Sequence, residues 1–413
     1  MFSAIPTYSG DSILTLMEEF KADPRPAKVN LSIGIYYDDQ GNIPLPSALR
    51  LAKEKILSAD EGAQSYLPMA GLAPFNSGTQ QLLFGADSEA LAQGRIVTVQ
   101  TIGGSGALKV GADFLYGAFP RSKVWVSNPT WDNHIGIFEG AGFEVDSYPY
   151  FDPRTGGVDF SAMLEKLASL PPASIILLHP CCHNPTGADL ANAQWDEVVR
   201  LIQARELIPF LDIAYQGFGA GFEEDAYLIR ALEIAGCSFL VSNSFSKICS
   251  VYGDRVGALS VVCATSEEAD RVGGQLQGKV RRNYSSPPAF GARLVSSVLN
   301  DDMLRSVWKG EVDAMRQRIL DMRTALHAAL TRQAAHQDFG YLLTQRGMFS
   351  YTGLSASQVQ TLRDQFGIYL VRSGRLCISG LRTSNVDTVA SAIAQVLKAQ
   401  QVQQVQQVQT TPA

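Results

Sequence analysis

The sequence predicts an α/β fold, in which a large domain holds a mainly parallel seven-stranded sheet between helices and a smaller domain is of the α+β type. Between residues 95 and 263, short apolar runs of β type alternate with amphipathic stretches. This alternation is typical of a mainly parallel sheet that helices cover on both faces. With 413 residues, the chain is long enough for two domains.

The elements of the larger domain, which we place at residues 44–314, follow in order. The predicted strands are Arg95–Thr101, Lys123–Ser127, Phe143–Tyr148, Ser174–Leu178, Ile208–Leu211, Phe239–Val241 and Leu259–Cys263. Between them, Phe160–Ala168 and Ala193–Ala204 have the apolar spacing of helices. The segment Asp301–Ala335 combines helical spacing with many charges, which predicts a long connecting helix.

The smaller domain is predicted to combine residues 1–43 with residues 315–398. Its short elements are predicted at Tyr341–Leu343, Phe349–Thr352, Ser357–Phe366 (a helix), Tyr369–Val371 and Arg375–Ser379 (a strand). The tail, residues 399–413, repeats Gln-Gln-Val. It could extend the last helix, but its low complexity favours a disordered end.

Composition and charge exclude several classes of function. The chain is 46% hydrophobic and 18% charged, as in ordinary globular proteins, and its net charge is −6. Without a dense Lys/Arg run, we expect neither nucleic acid nor a membrane as a partner. The first residues lack the basic and apolar segments of a signal peptide, and the six cysteines include no Cys-x-x-Cys pair. These features predict a reduced, cytoplasmic setting.

The run of residues 242–259 carries one lysine, Lys247, among small hydroxyl residues. Most lysines are solvated surface charges. Lys247, however, follows an apolar strand, and open α/β sheets bind ligands at the carboxyl ends of their strands. A desolvated lysine there can attack a carbonyl, while Ser244, Ser246 and Arg255 suit a phosphate. A carbonyl and a phosphate together describe pyridoxal phosphate.

Asp212 ends the apolar run that begins at Ile208, and Tyr215 follows three residues later. Asp212 could simply cap a helix, and Tyr215 could be a packed aromatic residue. The alternative is that Asp212 pairs with the protonated ring nitrogen of the cofactor, since a carboxylate and a neighbouring cation stabilise each other's charge. Tyr215 could then donate a hydrogen bond to the phenolic oxygen of the cofactor.

Residues 179–187 read His-Pro-Cys-Cys-His-Asn-Pro-Thr-Gly, which invites a metal-binding interpretation. The four possible ligands lie within five residues, whereas tetrahedral zinc sites normally draw ligand pairs from separated elements, so we expect no metal here. Asn184-Pro185 instead indicates a turn that points an amide into the ligand crevice.

Two further signals follow predicted strands. Residues 101–108 read as a strand end, a glycine turn and a helix start, which suits an anion but matches neither a Walker sequence nor a dinucleotide fingerprint. Trp131 could stack on a flat ring or could pack in the core.

Taken together, these runs resemble the fold-type I, class I pyridoxal-phosphate aminotransferases, from about Asp11 to Ala394. The pattern Ser-x-Ser-Lys-x-x-x-x-Tyr-x-x-Arg-x-Gly around Lys247 is specific, and Asn184-Pro-Thr-Gly and Asp212-x-x-Tyr215 precede it in order. The likeness is greatest to bacterial aromatic-amino-acid (tyrosine) aminotransferases. One departure is Gly103, where many aspartate-specific relatives carry serine.

The resemblance implies a role for each matching residue. Lys247 would bind the cofactor covalently and move the proton, with Asp212 and Tyr215 as the other catalytic residues and His134 beside Asp212. The implied cofactor-binding residues are Tyr66, Gly104, Ser105, Trp131, Asn184, Asp212, Tyr215, Ser244, Lys247 and Arg255. The implied substrate-binding residues are Gly34, Tyr66, Trp131, Asn184, Arg281 and Arg375, with Arg375 on the α-carboxylate and Arg281 on a side-chain carboxylate.

The resemblance also implies an activity and an assembly. The expected reaction is ping-pong transfer of the amino group from tyrosine, phenylalanine or aspartate to 2-oxoglutarate. The expected assembly is a homodimer in which Tyr66 and Arg281 serve the neighbouring active site. An aspartate-selective aminotransferase stays open as the alternative. A nicotinamide-dependent oxidoreductase would need the missing glycine fingerprint, and a non-enzymatic protein would not need Lys247 and Asp212.

Overall fold

The computed structural model describes residues 2–7, 10–59, 65–335 and 337–410. The chain divides into two compact units. The larger unit contains Pro44–Gln317 and Gln345–Gly347, and the smaller contains Met1–Ile43, Arg318–Thr344 and Met348–Ala413. Within the described residues, no helix is both long enough and apolar enough to cross a bilayer.

Helices account for most of the regular structure. In chain order they are α1 (Ser12–Ala22), α2 (Ser47–Ser58), α3 (Ala73–Phe84), α4 (Glu89–Ala92), α5 (Gly103–Ala118), α6 (Asp132–Glu139), α7 (Phe160–Ala168), α8 (Asn192–Arg205), α9 (Tyr227–Ile234), α10 (Ser266–Asn283), α11 (Phe290–Leu299), α12 (Asp302–Gln333), α13 (Tyr341–Thr344), α14 (Ala356–Phe366) and α15 (Val386–Thr410). Two short 3₁₀ helices lie at Phe2–Ala4 and Ile378–Gly380.

The strands are short, and most belong to one sheet. In chain order they are β1 (Val29–Asn30), β2 (Ile96–Ile102), β3 (Val124–Asn128), β4 (Val145–Pro149), β5 (Phe151–Asp152), β6 (Gly157–Val158), β7 (Ile175–Leu178), β8 (Ile208–Ile213), β9 (Phe239–Ser244), β10 (Val256–Val262), β11 (Phe349–Tyr351), β12 (Ile368–Tyr369) and β13 (Arg375–Cys377).

The seven-stranded sheet of the larger unit has the order β2-β10-β9-β8-β7-β3-β4. Strand β10 is antiparallel to β2 and β9, and the remaining pairs are parallel. The predicted α/β class with a mainly parallel sheet is thereby confirmed. Each predicted strand of the sheet has its counterpart within a few residues.

The inner strands of the sheet are buried because both of its faces are covered. Every residue of β7, β9 and β10 is buried. Helix α5 packs on one face, where Leu108 joins Phe210 and Leu259 in the core. Strands β2, β3, β7, β8 and β9 end at the same edge of the sheet, so the polar residues that follow them converge there.

The smaller unit contains two strand pairs, parallel β1–β12 and antiparallel β11–β13. Helix α14 begins at a capping box between Ser355 and Gln358 and ends at Gly367, whose φ of 68° suits a glycine cap.

The structure specifies two elements of the smaller unit that the sequence left open. Residues 341–344, predicted only as a short element, form a helical turn. The last helix continues to Thr410, which is the alternative that the sequence offered to a disordered end. Glutamine favours helix, and neither glycine nor a proline before residue 412 interrupts the repeat. Residues 411–413 lie outside the described part of the chain.

Candidate active site

Asp212, at the end of β8, has a hydrogen bond on only one of its two carboxylate oxygens. The residue is 6% exposed. His134 Nε2 donates to its Oδ2 at 2.9 Å, whereas Oδ1 is buried and has no hydrogen-bond partner. A buried acceptor without a donor is unfavourable by about 1–3 kcal/mol, so this oxygen points to a missing donor. Burial alone would raise the pKa of Asp212, but the hydrogen bond and charge of His134 outweigh burial and lower it.

His134 is held in place by Thr130. Thr130 Oγ1 lies 2.9 Å from His134 Nδ1, and the His134 side chain is fully buried. Because the Asp212 carboxylate can only accept, Nε2 carries the proton in the neutral form of His134, and Nδ1 accepts from the Thr130 hydroxyl. Thr130, His134 and Asp212 therefore form a chain that ends at the open carboxylate oxygen.

Two more histidines, His179 and His183, lie beside this chain. The His179 ring centroid is 5.1 Å from that of His134 and 4.5 Å from that of His183. Burial lowers the pKa of His179 to about 3 and holds that of His183 well below its usual value. Both rings are therefore neutral at physiological pH, and His183 is committed to hydrogen bonds with Ser127 and Thr186.

Lys247 follows β9 and is half-buried. Its Nζ lies 4.9 Å from the centroid of the Tyr215 ring. The backbone next to it is fixed, because the buried Trp308 donates from Nε1 to the carbonyl of Ile248 at 2.7 Å. The structure thus brings together the lysine and the tyrosine that the sequence motif predicts.

The start of α5 lies against the hydroxyl residues that end β9. Ser242 Oγ donates to the carbonyl of Gly104 at 3.2 Å, and Ser244 Oγ accepts from the amide of Ser246 at 3.3 Å. Arg255 Nη1 donates to Ser246 Oγ at 3.3 Å. Backbone amides at a helix start, hydroxyl groups and a guanidinium together form a cradle for a phosphate.

Two glycines are required for this cradle. A Cβ on Gly257 would lie 2.5 Å from the carbonyl carbon of Gly103, so only glycine lets β10 pass the helix start so closely. Gly103 has a φ of 74°, and a Cβ there would lie 2.5 Å from Arg255 Nη2. Glycine at position 103 therefore leaves the guanidinium its space.

The other site residues predicted for the larger unit include both buried and exposed side chains. Trp131 stands edge-on to His134, with centroids 5.1 Å apart, and Asn184 is buried two residues after Cys182. Ser105 lies in the first turn of α5. Tyr66, by contrast, is 94% exposed. Arg281 is exposed in the last turn of α10 and donates to Ser285 Oγ.

Gly34 and Arg375 belong to the smaller unit. Arg375 is 4% exposed, and its Nη2 donates to the carbonyl of Ser32 at 2.6 Å. Its guanidinium lies 4.3 Å from the centroid of the Phe349 ring. Arg375 is thereby held next to the short segment that contains Gly34.

Sequence reasoning missed Thr130 and gave no separate role to His179, Ser127 or Ser242. A threonine four residues before a histidine is a weak signal, and it gains meaning only once His134 is known to face Asp212. The four possible ligands in the run 179–183 do not come together in one group. Among the described residues, the groups that could hold an ion are His134 with His179 and Asp212, and Cys181 with Cys182 and Asp225.

The site fits pyridoxal phosphate. The open, buried oxygen of Asp212 suits a protonated ring nitrogen, the cradle suits the phosphate, and Lys247 suits the aldehyde. An open α/β sheet with this site at its carboxyl edge defines a fold-type I enzyme of the aminotransferase class.

Comparison with known proteins agrees. Residues 26–393 match the family described as aminotransferase class I and II. The chain is 60% identical over 397 residues to a tyrosine aminotransferase of Klebsiella pneumoniae, an alignment that covers 96% of this chain and 100% of the relative. An aspartate aminotransferase of Pseudomonas aeruginosa is 49% identical over the same shares of both chains. The structure of an aromatic-amino-acid aminotransferase from Burkholderia pseudomallei, covalently bound to pyridoxal phosphate, has a TM-score of 0.94 and 49% identity, and covers 96% of this chain and 99% of that chain.

The chain therefore belongs to the class I and II aminotransferases. It is an aminotransferase, and its cofactor is pyridoxal phosphate.

Proposed function

We propose that this enzyme is an aromatic-amino-acid aminotransferase, which transfers the amino group of tyrosine or phenylalanine, and also of aspartate, to 2-oxoglutarate. The observation that carries the proposal is 60% identity over 96% of the chain to a protein named tyrosine aminotransferase. The alternative is an aspartate aminotransferase, because relatives with that name are also matched over most of the chain.

Asp212 is assigned to the ring nitrogen of the cofactor. When bound, pyridoxal phosphate supplies an aldehyde that takes up the amino group and a ring that withdraws electrons. The lowered pKa of Asp212 keeps its carboxylate ionised, and an ionised carboxylate holds a neighbouring ring nitrogen protonated. Thr130 and His134 act behind it by fixing the direction of the carboxylate.

Lys247 is assigned the covalent link to the cofactor and the transfer of the α-proton. Its half-buried position on a fixed segment lets Nζ take a proton from the substrate and return it within the same site. Tyr215 and Asn184 are assigned to the phenolic oxygen, and Trp131 to the face of the ring. Gly104, Ser105, Ser244 and Arg255 are assigned to the phosphate.

The substrate is assigned to two arginines. Arg375 is buried and planar, so its fork suits an α-carboxylate, and Gly34 lies in the segment that Arg375 contacts. Arg281 is assigned to the side-chain carboxylate of dicarboxylic substrates. For aromatic substrates we propose that Arg281 turns toward solvent, because a guanidinium buried against a ring would lack a counter-charge. Ile13, Leu14 and Ile33 would then supply apolar contacts.

We also propose that the enzyme is a homodimer of the cytoplasm. The larger unit exposes several large apolar side chains, namely Leu51 and Leu57 on α2, Tyr66, Met69 and Phe290. Exposed apolar groups of this kind are common at interfaces between subunits. With Tyr66 and Arg281 both exposed, each is placed to reach the active site of a second copy. All six cysteines lie outside disulfides, which suits a reduced compartment.

The test is a comparison of kcat/KM for tyrosine and for aspartate, with 2-oxoglutarate as the acceptor. We expect kcat/KM for tyrosine to be at least about a tenth of kcat/KM for aspartate, because a site that serves both substrates must stabilise both transition states to a similar degree. A value for tyrosine that is lower by roughly 100-fold or more would favour the aspartate-selective alternative.

A further inference from the structure

Cys181 and Cys182 are adjacent buried thiols that have no part in the transamination site. They are 4% and 2% exposed. Side chains of adjacent residues in an extended chain point in opposite directions. Here the φ of Cys182 is 52°, in the left-handed region that cysteine rarely adopts, and both sulfurs point to the same place. Asp189 stabilises this turn, since its carboxylate accepts the amides of Cys182 and His183 at 2.7 and 2.8 Å.

A carboxylate from a distant part of the chain meets the two sulfurs. One ligand atom each from Cys181, Cys182 and Asp225 lie within 4.8 Å of one another, and all three residues are buried. The Asp225 oxygens accept the amides of Gly217, Gly219 and Ala220 at 2.7, 3.0 and 2.8 Å. The amide of Gly221 also contributes, so a cation would have to replace at least one of these donors on the carboxylate.

Cys181 and Cys182 are not joined in a disulfide, and the spread of the three ligand atoms suits a bridging ion. A disulfide needs sulfurs about 2.05 Å apart. Two thiolates on a tetrahedral zinc ion, with Zn–S bonds of about 2.3 Å, lie about 3.8 Å apart, which is within the 4.8 Å span of the three ligand atoms. Two thiolates with one carboxylate form a ligand set for soft divalent cations.

We propose that Cys181, Cys182 and Asp225 form a binding site for a thiophilic divalent cation such as Zn²⁺, and that its occupation inhibits the enzyme. The cation forms two metal–sulfur bonds and one metal–oxygen bond, and the two thiol protons pass to solvent. Asp225 is the ligand from a separate element that residues 179–183 cannot provide by themselves.

Inhibition follows from what Cys182 touches. Asn184, assigned to the cofactor, comes two residues later, and Cys182 Sγ lies 3.9 Å from the carbonyl oxygen of Tyr215. If a cation draws the Cys182 sulfur toward it, both Asn184 and the backbone of Tyr215 shift. Because the glycine-rich segment 217–221 is bonded to Asp225, that segment must open before the ion enters, so inhibition develops slowly.

The test uses Cd²⁺ with the holoenzyme, because cadmium shares the ligand preference and is readily counted. After incubation and gel filtration, we expect one cadmium per chain, with two sulfur ligands in its X-ray absorption spectrum. Transaminase activity should fall with time and return on addition of a chelator. Cys181→Ser and Cys182→Ser should each bind the ion at least ~10-fold more weakly, as expected when a metal loses a ligand.

Cys263→Ser is the matched control, because Cys263 is buried in the same unit and belongs to neither possible metal group. It should retain cadmium like the unaltered enzyme. The absorption spectrum needs no substitution, so it decides the question even if the serine variants fold poorly. Cadmium bound only by nitrogen and oxygen, or equal retention by Cys181→Ser, would overturn the proposal.

Discussion

Replacing Gly257 with alanine should weaken cofactor binding, because β10 touches the start of α5 at this residue. The new Cβ would lie 2.5 Å from the carbonyl carbon of Gly103 and 2.7 Å from the carbonyl oxygen of Asn243. Both are backbone atoms, so no side-chain rotation relieves the contact. Restoring an ordinary contact of 3.4 Å from 2.5 Å requires a shift of about 0.9 Å.

The shift falls on the phosphate cradle. Gly103 is the first residue of α5, whose free amides face the anion site. A hydrogen bond to a charged group contributes about 1.5–3 kcal/mol, and an amide displaced by most of an ångström loses it. The dissociation constant for pyridoxal phosphate should therefore rise roughly 10- to 100-fold. Overpacking should also lower the free energy of unfolding by about 1–3 kcal/mol.

The measurement is titration of the apoenzyme with pyridoxal phosphate, followed by absorbance. Gly253→Ala is the matched control, since a Cβ at that residue of the same segment meets nothing within 4 Å. Its dissociation constant should stay within about twofold of the unaltered enzyme, as for other surface substitutions. A Gly257→Ala variant that binds the cofactor as tightly as this control would refute the argument.

Three further predictions concern the assigned residues. Lys247→Ala should lower kcat by roughly 10²–10⁴-fold or more, and turnover at a comparable rate would contradict its role. Arg281→Ala should lower kcat/KM for aspartate by orders of magnitude and leave phenylalanine nearly unchanged, whereas equal losses would exclude the proposed turn toward solvent. In His134→Ala, Asp212 keeps its burial but loses the hydrogen bond that lowers its pKa. The acid limb of the pH profile of kcat/KM should therefore move to higher pH, and an unchanged limb would contradict this.

The sheet could be predicted from the sequence because most of its strands contain an apolar run bounded by turns or helices. The order of the strands could not. Strand β10 follows β9 in the chain but lies between β9 and β2, in the antiparallel direction, and no local pattern specifies such a pairing. The two-residue strands β1, β5 and β6 escaped prediction because they are too short to show a period of two.

Site residues were predictable where chemistry requires an unusual residue type at a strand end, as for Lys247 and Asp212. Residues that support the site only through where they lie in the fold could not be predicted from the sequence. Thr130 matters because it holds His134, whose partner Asp212 is distant in the chain. Gly257 matters because of one close approach to the distant backbone of Gly103. The same holds for Asp225: the spacing rule that argued against a metal at residues 179–183 considered only neighbouring ligands. The fold brings the distant Asp225 carboxylate to the two cysteines. Ligand spacing in the sequence can therefore argue against a metal site formed by neighbouring residues alone, but not against one that includes a residue from elsewhere in the chain.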